Sequence, residues 1–216
     1  MTDPQLSLVA ALLDRSGSMQ SIADDTRGGF DAFITTERAA EGTTVVTLAQ
    51  FDDRYELVYS DRPIETVPPL ALEPRGMTAL YDAVGRFVTE VGAGLAALPE
   101  ESRPGSVTVV VMTDGHENSS REWTIEAVRA LIGRQESEYS WDFVFLGANM
   151  DAVEVGAGLG FAPEKSMTYE ATAGGVSAAF SSMAGYQERK RTSRSEGRPV
   201  TAEGFTSDER RRSSGR

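Results

Sequence analysis

Leu8-Val9-Ala10-Ala11-Leu12-Leu13-Asp14-Arg15-Ser16-Gly17-Ser18 is the stretch on which the reading of this 216-residue chain turns. Six apolar residues in succession, with no polar residue alternating between them, describe a strand buried on both faces. A second run, Val107-Thr108-Val109-Val110-Val111-Met112, has the same character and leads into Thr113-Asp114-Gly115. Strands of this kind belong to a parallel sheet covered by helices on both sides, and these two are expected to be neighbours within it.

Working outward, strands are read at about 6–13, 43–51, 55–59, 107–113, 141–146 and 166–169, and helices at about 21–40, 79–98, 124–138, 152–159 and 174–186. The alternation of strand and helix breaks once. Only Asp52-Asp53-Arg54 separates the second and third strands, too few residues for a parallel crossover, so that pair is an antiparallel hairpin. The fold class that follows is α/β: a Rossmann-like, doubly wound, mostly parallel six-stranded sheet with one antiparallel edge hairpin strand and helices on both faces. In the last helix Val176, Phe180 and Met183 recur at helical spacing and should form its buried face. From 186 onward hydrophobic residues are sparse, and 186–216 is read as a flexible Arg/Ser-rich tail on a folded domain spanning 1–185.

Both central strands deliver a carboxylate to their C-terminal ends, the rim where open α/β sheets bind ligands. Asp14, Ser16 and Ser18 stand two apart, which puts their oxygens on one side of an extended loop. Asp114 arrives from the adjacent strand, with Gly115 permitting a tight turn. Two acids at the ends of neighbouring buried strands repel unless a proton or a cation lies between them. Hard oxygen donors without sulfur or imidazole favour Mg2+, with Mn2+ or Ca2+ as alternatives, over zinc or copper.

Asp14-Arg15-Ser16-Gly17-Ser18 resembles the Asp-x-Ser-x-Ser motif of the metal-ion-dependent adhesion site in von Willebrand factor type A domains. Gly76-Met77-Thr78-Ala79-Leu80 resembles the loop that supplies the site's threonine, and Thr113-Asp114-Gly115 its final aspartate turn. The resemblance covers roughly 6–185 and implies a bacterial, intracellular member with a complete motif. It implies that Ser16, Ser18 and Thr78 ligate the ion directly or through water, that Asp14 and Asp114 bind mainly through water, and that a Glu or Asp of a protein partner completes the shell. The expected function is adhesion or adaptor work and not catalysis.

Plainer readings stand beside that one. Asp14 to Ser18 alone would pass for a helix-start loop with Ser18 or Ser21 as N-cap. His116 is the only histidine and reads as loop decoration. Glu117 is a candidate built-in occupant of the ion's open position, and Asn118 is read no further than as its neighbour. Asp52 and Asp53 read as turn residues, Arg15 and Met19 as exposed rim that tunes partner choice. An aspartate-nucleophile phosphatase also places an Asp at a strand end beside a metal, but it resembles Asp-x-Asp, and here the second acid is Ser16. Gly156, Gly158 and Gly160 lack the spacing of a nucleotide loop. An adaptor subunit of a chaperone-like ATPase, a chelatase or a stress-resistance complex is the remaining alternative.

Composition bounds the partners. The net charge of −12 is uneven: 186–216 carries nine basic residues against five acidic ones, while the rest of the chain carries 12 against 28. An acidic body of that kind repels phosphate backbones, so no nucleic acid partner is expected. The apolar runs are too short to span a bilayer, no signal peptide is readable, and the chain has no cysteine, which suits the cytoplasm. The oligomeric state is left open, with a monomer expected.

Overall fold

The computed structural model describes residues 2–196 and 204–215. Six strands form one sheet: β1 (Asp3–Asp14), β2 (Thr43–Phe51), β3 (Tyr55–Pro63), β4 (Pro104–Thr113), β5 (Asp142–Ala148) and β6 (Ser166–Tyr169). Their spatial order is β3-β2-β1-β4-β5-β6, with β2 and β3 antiparallel and every other pair parallel. β1 and β4 are central neighbours, as their predominantly apolar runs require. The helices are α1 (Ala23–Arg38), α2 (Leu80–Ala97), α3 (Ile125–Tyr139), α4 (Ala152–Leu159), α5 (Ala173–Ser195) and α6 (Ser207–Ser213).

Side chains alternate across a strand, and here both faces are covered. Val9, Ala11 and Leu13 of β1 join Phe30 and Phe33 of α1 and Val176, Phe180 and Met183 of α5 in one core. Leu8, Ala10 and Leu12 join Leu80, Val84 and Phe87 of α2, Val128 and Ile132 of α3 and Leu159 of α4 in the other. The expected buried face of the last helix is therefore correct. Local chemistry marks the helix ends: Thr124, Asp151 and Thr172 cap α3, α4 and α5 with side-chain oxygens, and Gly160 takes the left-handed conformation (φ 100°) that ends α4.

The stretch expected to be a flexible tail behaves otherwise over its described part. α5 continues to Ser195, and α6 docks on it beside β6. Sparse hydrophobic content concealed this because the attachment is largely ionic. Arg191 pairs with Glu37 of α1 at 2.6 Å, Arg189 with Glu209 of α6 at 2.9 Å, and Lys190 with Asp142 of β5 at 3.1 Å. Phe205 is the apolar exception, buried with its ring 5.7 Å from that of Tyr186. Val200 and Ala202, the other hydrophobic residues of that stretch, lie outside the described residues. Among the described residues no helix is long and apolar enough to cross a membrane.

Candidate metal centre

Parallel strands send their C-terminal ends to one rim, and the centre of this rim is where β1 and β4 finish side by side. Asp14, the last residue of β1, is fully buried. One carboxylate oxygen accepts the backbone N–H of Ser16 at 2.6 Å and the other accepts the Thr113 hydroxyl at 2.5 Å. The loop then folds back so that Ser16 Oγ and Ser18 Oγ lie 3.0 Å apart, and the Ser18 hydroxyl donates to Asp114 Oδ1 at 2.5 Å. Thr78 enters from a segment, residues 67–79, that forms neither helix nor strand. Its backbone N–H donates to Asn118 Oδ1 at 2.9 Å and its carbonyl accepts the Asn118 N–H at 3.0 Å. Thr78 as a residue is buried, and its Oγ1 takes no hydrogen-bond partner among the described residues.

Gly115 explains why a glycine follows Asp114. A Cβ there would lie 2.6 Å from Thr78 Oγ1 and 3.5 Å from Ser18 Oγ, inside the space between the two hydroxyls. The five residues singled out in the sequence, Asp14, Ser16, Ser18, Thr78 and Asp114, therefore surround one small oxygen-lined cradle.

Electrostatics sets this cradle apart from the rest of the interior. Every other buried acid among the described residues has a basic partner: Glu37 has Arg191, Asp52 has Arg15 and Arg75, Asp142 has Lys165 and Lys190, and Glu209 has Arg189. Asp14 has none among the described residues. Burial pushes its carboxyl up to about 6, hydrogen bonds from Thr113 and Ser16 pull it back, and the charge of Asp114 adds to the rise. Asp114 is raised too, by burial, against the Ser18 hydroxyl and its own backbone N–H. The Tyr169 hydroxyl, buried and without a partner among the described residues, is raised by burial and then by the charges of Asp114 and Asp14. A divalent cation fits this set: it would neutralise an acid pair that no side chain neutralises, and it would occupy the unpartnered Thr78 oxygen. No cluster of three or more His, Cys, Asp or Glu side chains that could hold a metal occurs among the described residues, and what this cradle offers is two carboxylates and three hydroxyls.

Neighbouring residues depart from their sequence readings. Arg15 and Met19 are buried, not exposed rim. The Arg15 guanidinium turns inward to Asp52, and Met19 joins the α1/α5 core. Asp52 does sit at the hairpin turn, accepting the Arg54 N–H at 2.7 Å, but it is also the acid of that buried ion pair. Glu117 is committed elsewhere: its oxygens accept the N–H groups of Tyr81, Ser119 and Ser120. It caps the start of α2 and the following loop and does not face the ion position as a built-in occupant. His116 is exposed and Asn118 buttresses Thr78. Neither Ser18 nor Ser21 caps α1, whose first residue follows a 3-10 turn over Gly17–Ile22. Sequence reasoning passed over Thr113, which had one signal: a hydroxyl at the end of a buried strand, immediately before the second acid.

The sheet order, the single antiparallel edge and the rim position of the cradle decide the architecture. The fold is that of a von Willebrand factor type A domain. Several solved structures share it: a pilus adhesin, SpaC, from Lactobacillus rhamnosus GG (17% identity, TM-score 0.63, 83% of this chain and 30% of that one); a von Willebrand factor type A protein from Catenulispora acidiphila (13%, 0.58, 85% and 43%); and proximal thread matrix protein 1 from the mussel byssus with a zinc-occupied metal-ion-dependent adhesion site (16%, 0.56, 82% and 44%). This chain spans less than half the length of each of these three proteins. No family model and no curated protein matches it.

Proposed function

We propose that this chain is a non-enzymatic, cytoplasmic protein-binding module of bacterial intracellular type, with a complete metal-ion-dependent adhesion site formed by Asp14, Ser16, Ser18, Thr78 and Asp114. The observation that carries the reading is Asp14, a fully buried acid without a basic partner where its peers all have one. Mg2+ is the preferred ion, since it retains several waters and asks for few protein ligands. When bound, it would supply an electrophilic point for a partner's Glu or Asp carboxylate. The hydroxyls of Ser16, Ser18 and Thr78 neutralise none of its charge, and the resemblance has Asp14 and Asp114 reaching the ion mainly through water, so the cation would stay electrophilic towards an incoming carboxylate.

Two observations support an adhesive over a phosphoryl-transfer role. Both Asp14 oxygens accept hydrogen bonds and are closed off from solvent, whereas a nucleophilic carboxylate needs an oxygen facing the substrate. The position two residues on is Ser16, which lacks the second acid. The acidic body supports a protein partner over nucleic acid. Calorimetry with MgCl2 and MnCl2, paired with a pull-down from lysate, tests the proposal: wild type should bind one ion and retain a partner, and Asp14→Ala should lose both while keeping its circular dichroism. Partner retention at unchanged strength in Asp14→Ala, or a wild type that takes up no ion, removes the proposal.

A further inference from the structure

The segment that delivers Thr78 has no ladder of its own, so something outside it must fix the distance between Thr78 and the Asp14–Ser18 loop. Asn118 holds Thr78 from the β4 side. On the β2 side the structure shows a buried charge cluster. Asp52 Oδ2 accepts from Arg15 Nε at 3.0 Å and from Arg75 Nε at 2.9 Å, while Oδ1 accepts the Arg54 N–H. Its own carbonyl accepts the N–H of Ala79, the residue after Thr78, at 2.9 Å. Arg15 lies between Asp14 and Ser16, and its carbonyl accepts the Arg75 N–H at 2.7 Å. The Gly17 N–H donates to the Gly76 carbonyl at 3.2 Å. Gly76 is at φ 68°, and a Cβ there would meet Asp53 Oδ1 at 2.4 Å, so a glycine lets the Thr78 segment lie against the β2–β3 turn.

We infer that Asp52 is a positioning residue for the ion site: by bridging Arg15 and Arg75 it sets where the Thr78 hydroxyl stands relative to Ser16 and Ser18. This rests on the ion-binding reading above and goes beyond it, since Asp52 makes no hydrogen bond to a proposed ligand. Groups that orient metal ligands are costly to remove, at about 10- to 100-fold in affinity. The opposing view is that a buried carboxylate between two guanidinium groups only holds the hairpin to its neighbours.

Coupling separates the two views. If Asp52 acts through Thr78, its effect on ion binding must vanish once Thr78 is gone, whereas a general structural contribution adds regardless. The test is titration calorimetry with MnCl2 on wild type, Asp52→Asn, Thr78→Ala and the double variant, with thermal melts alongside. Asp52→Asn should weaken Mn2+ about tenfold in the wild-type background and less than about twofold in Thr78→Ala, with equal melting shifts in both. Arg75→Gln, which removes the half-exposed arm and spares the buried one, should weaken Mn2+ by about three- to fivefold and gives the answer should Asp52→Asn fail to fold. A wild type that binds Mn2+ while both variants match it overturns the positioning role alone. Equal weakening with and without Thr78 overturns it as well. A wild type that binds no Mn2+ overturns the ion site and this role together.

Discussion

Replacing Asp14 with Asn should stabilise the ion-free protein at neutral pH, the reverse of what most substitutions in a core do. The magnitude follows from the site. Asp14 is fully buried, and its folded carboxyl stands at about 6 against an ordinary 3.8, so holding it ionised costs about 3 kcal/mol. Below about pH 4 both folded and unfolded chains keep the proton, and Asp14 costs nothing. Between about 4 and 6 only the folded chain keeps it, so stability falls as pH rises, and above 6 the loss is complete. Asn matches the shape, can accept from the Ser16 N–H, and carries no charge at any of these values. With a chelator present, Asp14→Asn should therefore exceed wild type by up to about 3 kcal/mol at pH 7.5, or roughly 6–12 °C in melting temperature, and match it near pH 4. Urea denaturation at a series of pH values measures the difference. Saturating Mg2+ should raise wild type alone and close the gap. Equal stability in chelator at pH 7.5, or a gap that does not shrink towards pH 4, would refute the argument that Asp14 is an uncompensated buried charge.

Other expectations address the surroundings. Gly115→Ala places a methyl 2.6 Å from Thr78 Oγ1 and should cut Mn2+ affinity roughly tenfold in calorimetry while the melting temperature stays within about 3 °C of wild type. Lys190→Met removes a buried ammonium 3.1 Å from Asp142 and leaves that acid with Lys165, at a cost of about 3 kcal/mol in urea denaturation. Phe205→Ala should cost about 3 kcal/mol in the same assay, since its ring packs against Tyr186; no loss would mean that the Phe205 ring contributes nothing to holding residues 204–215.

Much of the sheet could be read directly, because β1 and β4 are apolar on both faces and only a central parallel strand needs that. The hairpin was legible from three connecting residues. The five ligand candidates were legible as a set, since each lies at a strand end or in a short Gly-flanked loop whose spacing survives in the linear sequence. What stayed hidden depends on distant partners. Arg15 and Asp52 each look like surface residues, and their burial follows from meeting across 37 positions of chain. The second half of α5 is polar by composition and folds because Glu37, Asp142 and Glu209 wait for its basic residues. Glu117 beside the second acid offered a ligand reading, and only the packing of α2 against its loop reveals three backbone donors claiming it.

The hydrogen bonds that join the two acids' strands span 99 positions, from Thr113 to Asp14, and 96, from Ser18 to Asp114. Half of the cradle is thus synthesised long before the other half, and neither half has a use for a cation alone. Closing so long a loop comes first, and only then does the proposed place for an ion exist. Metal uptake should accordingly leave the refolding rate untouched and slow unfolding instead, a difference that stopped-flow traces with and without Mg2+ would register.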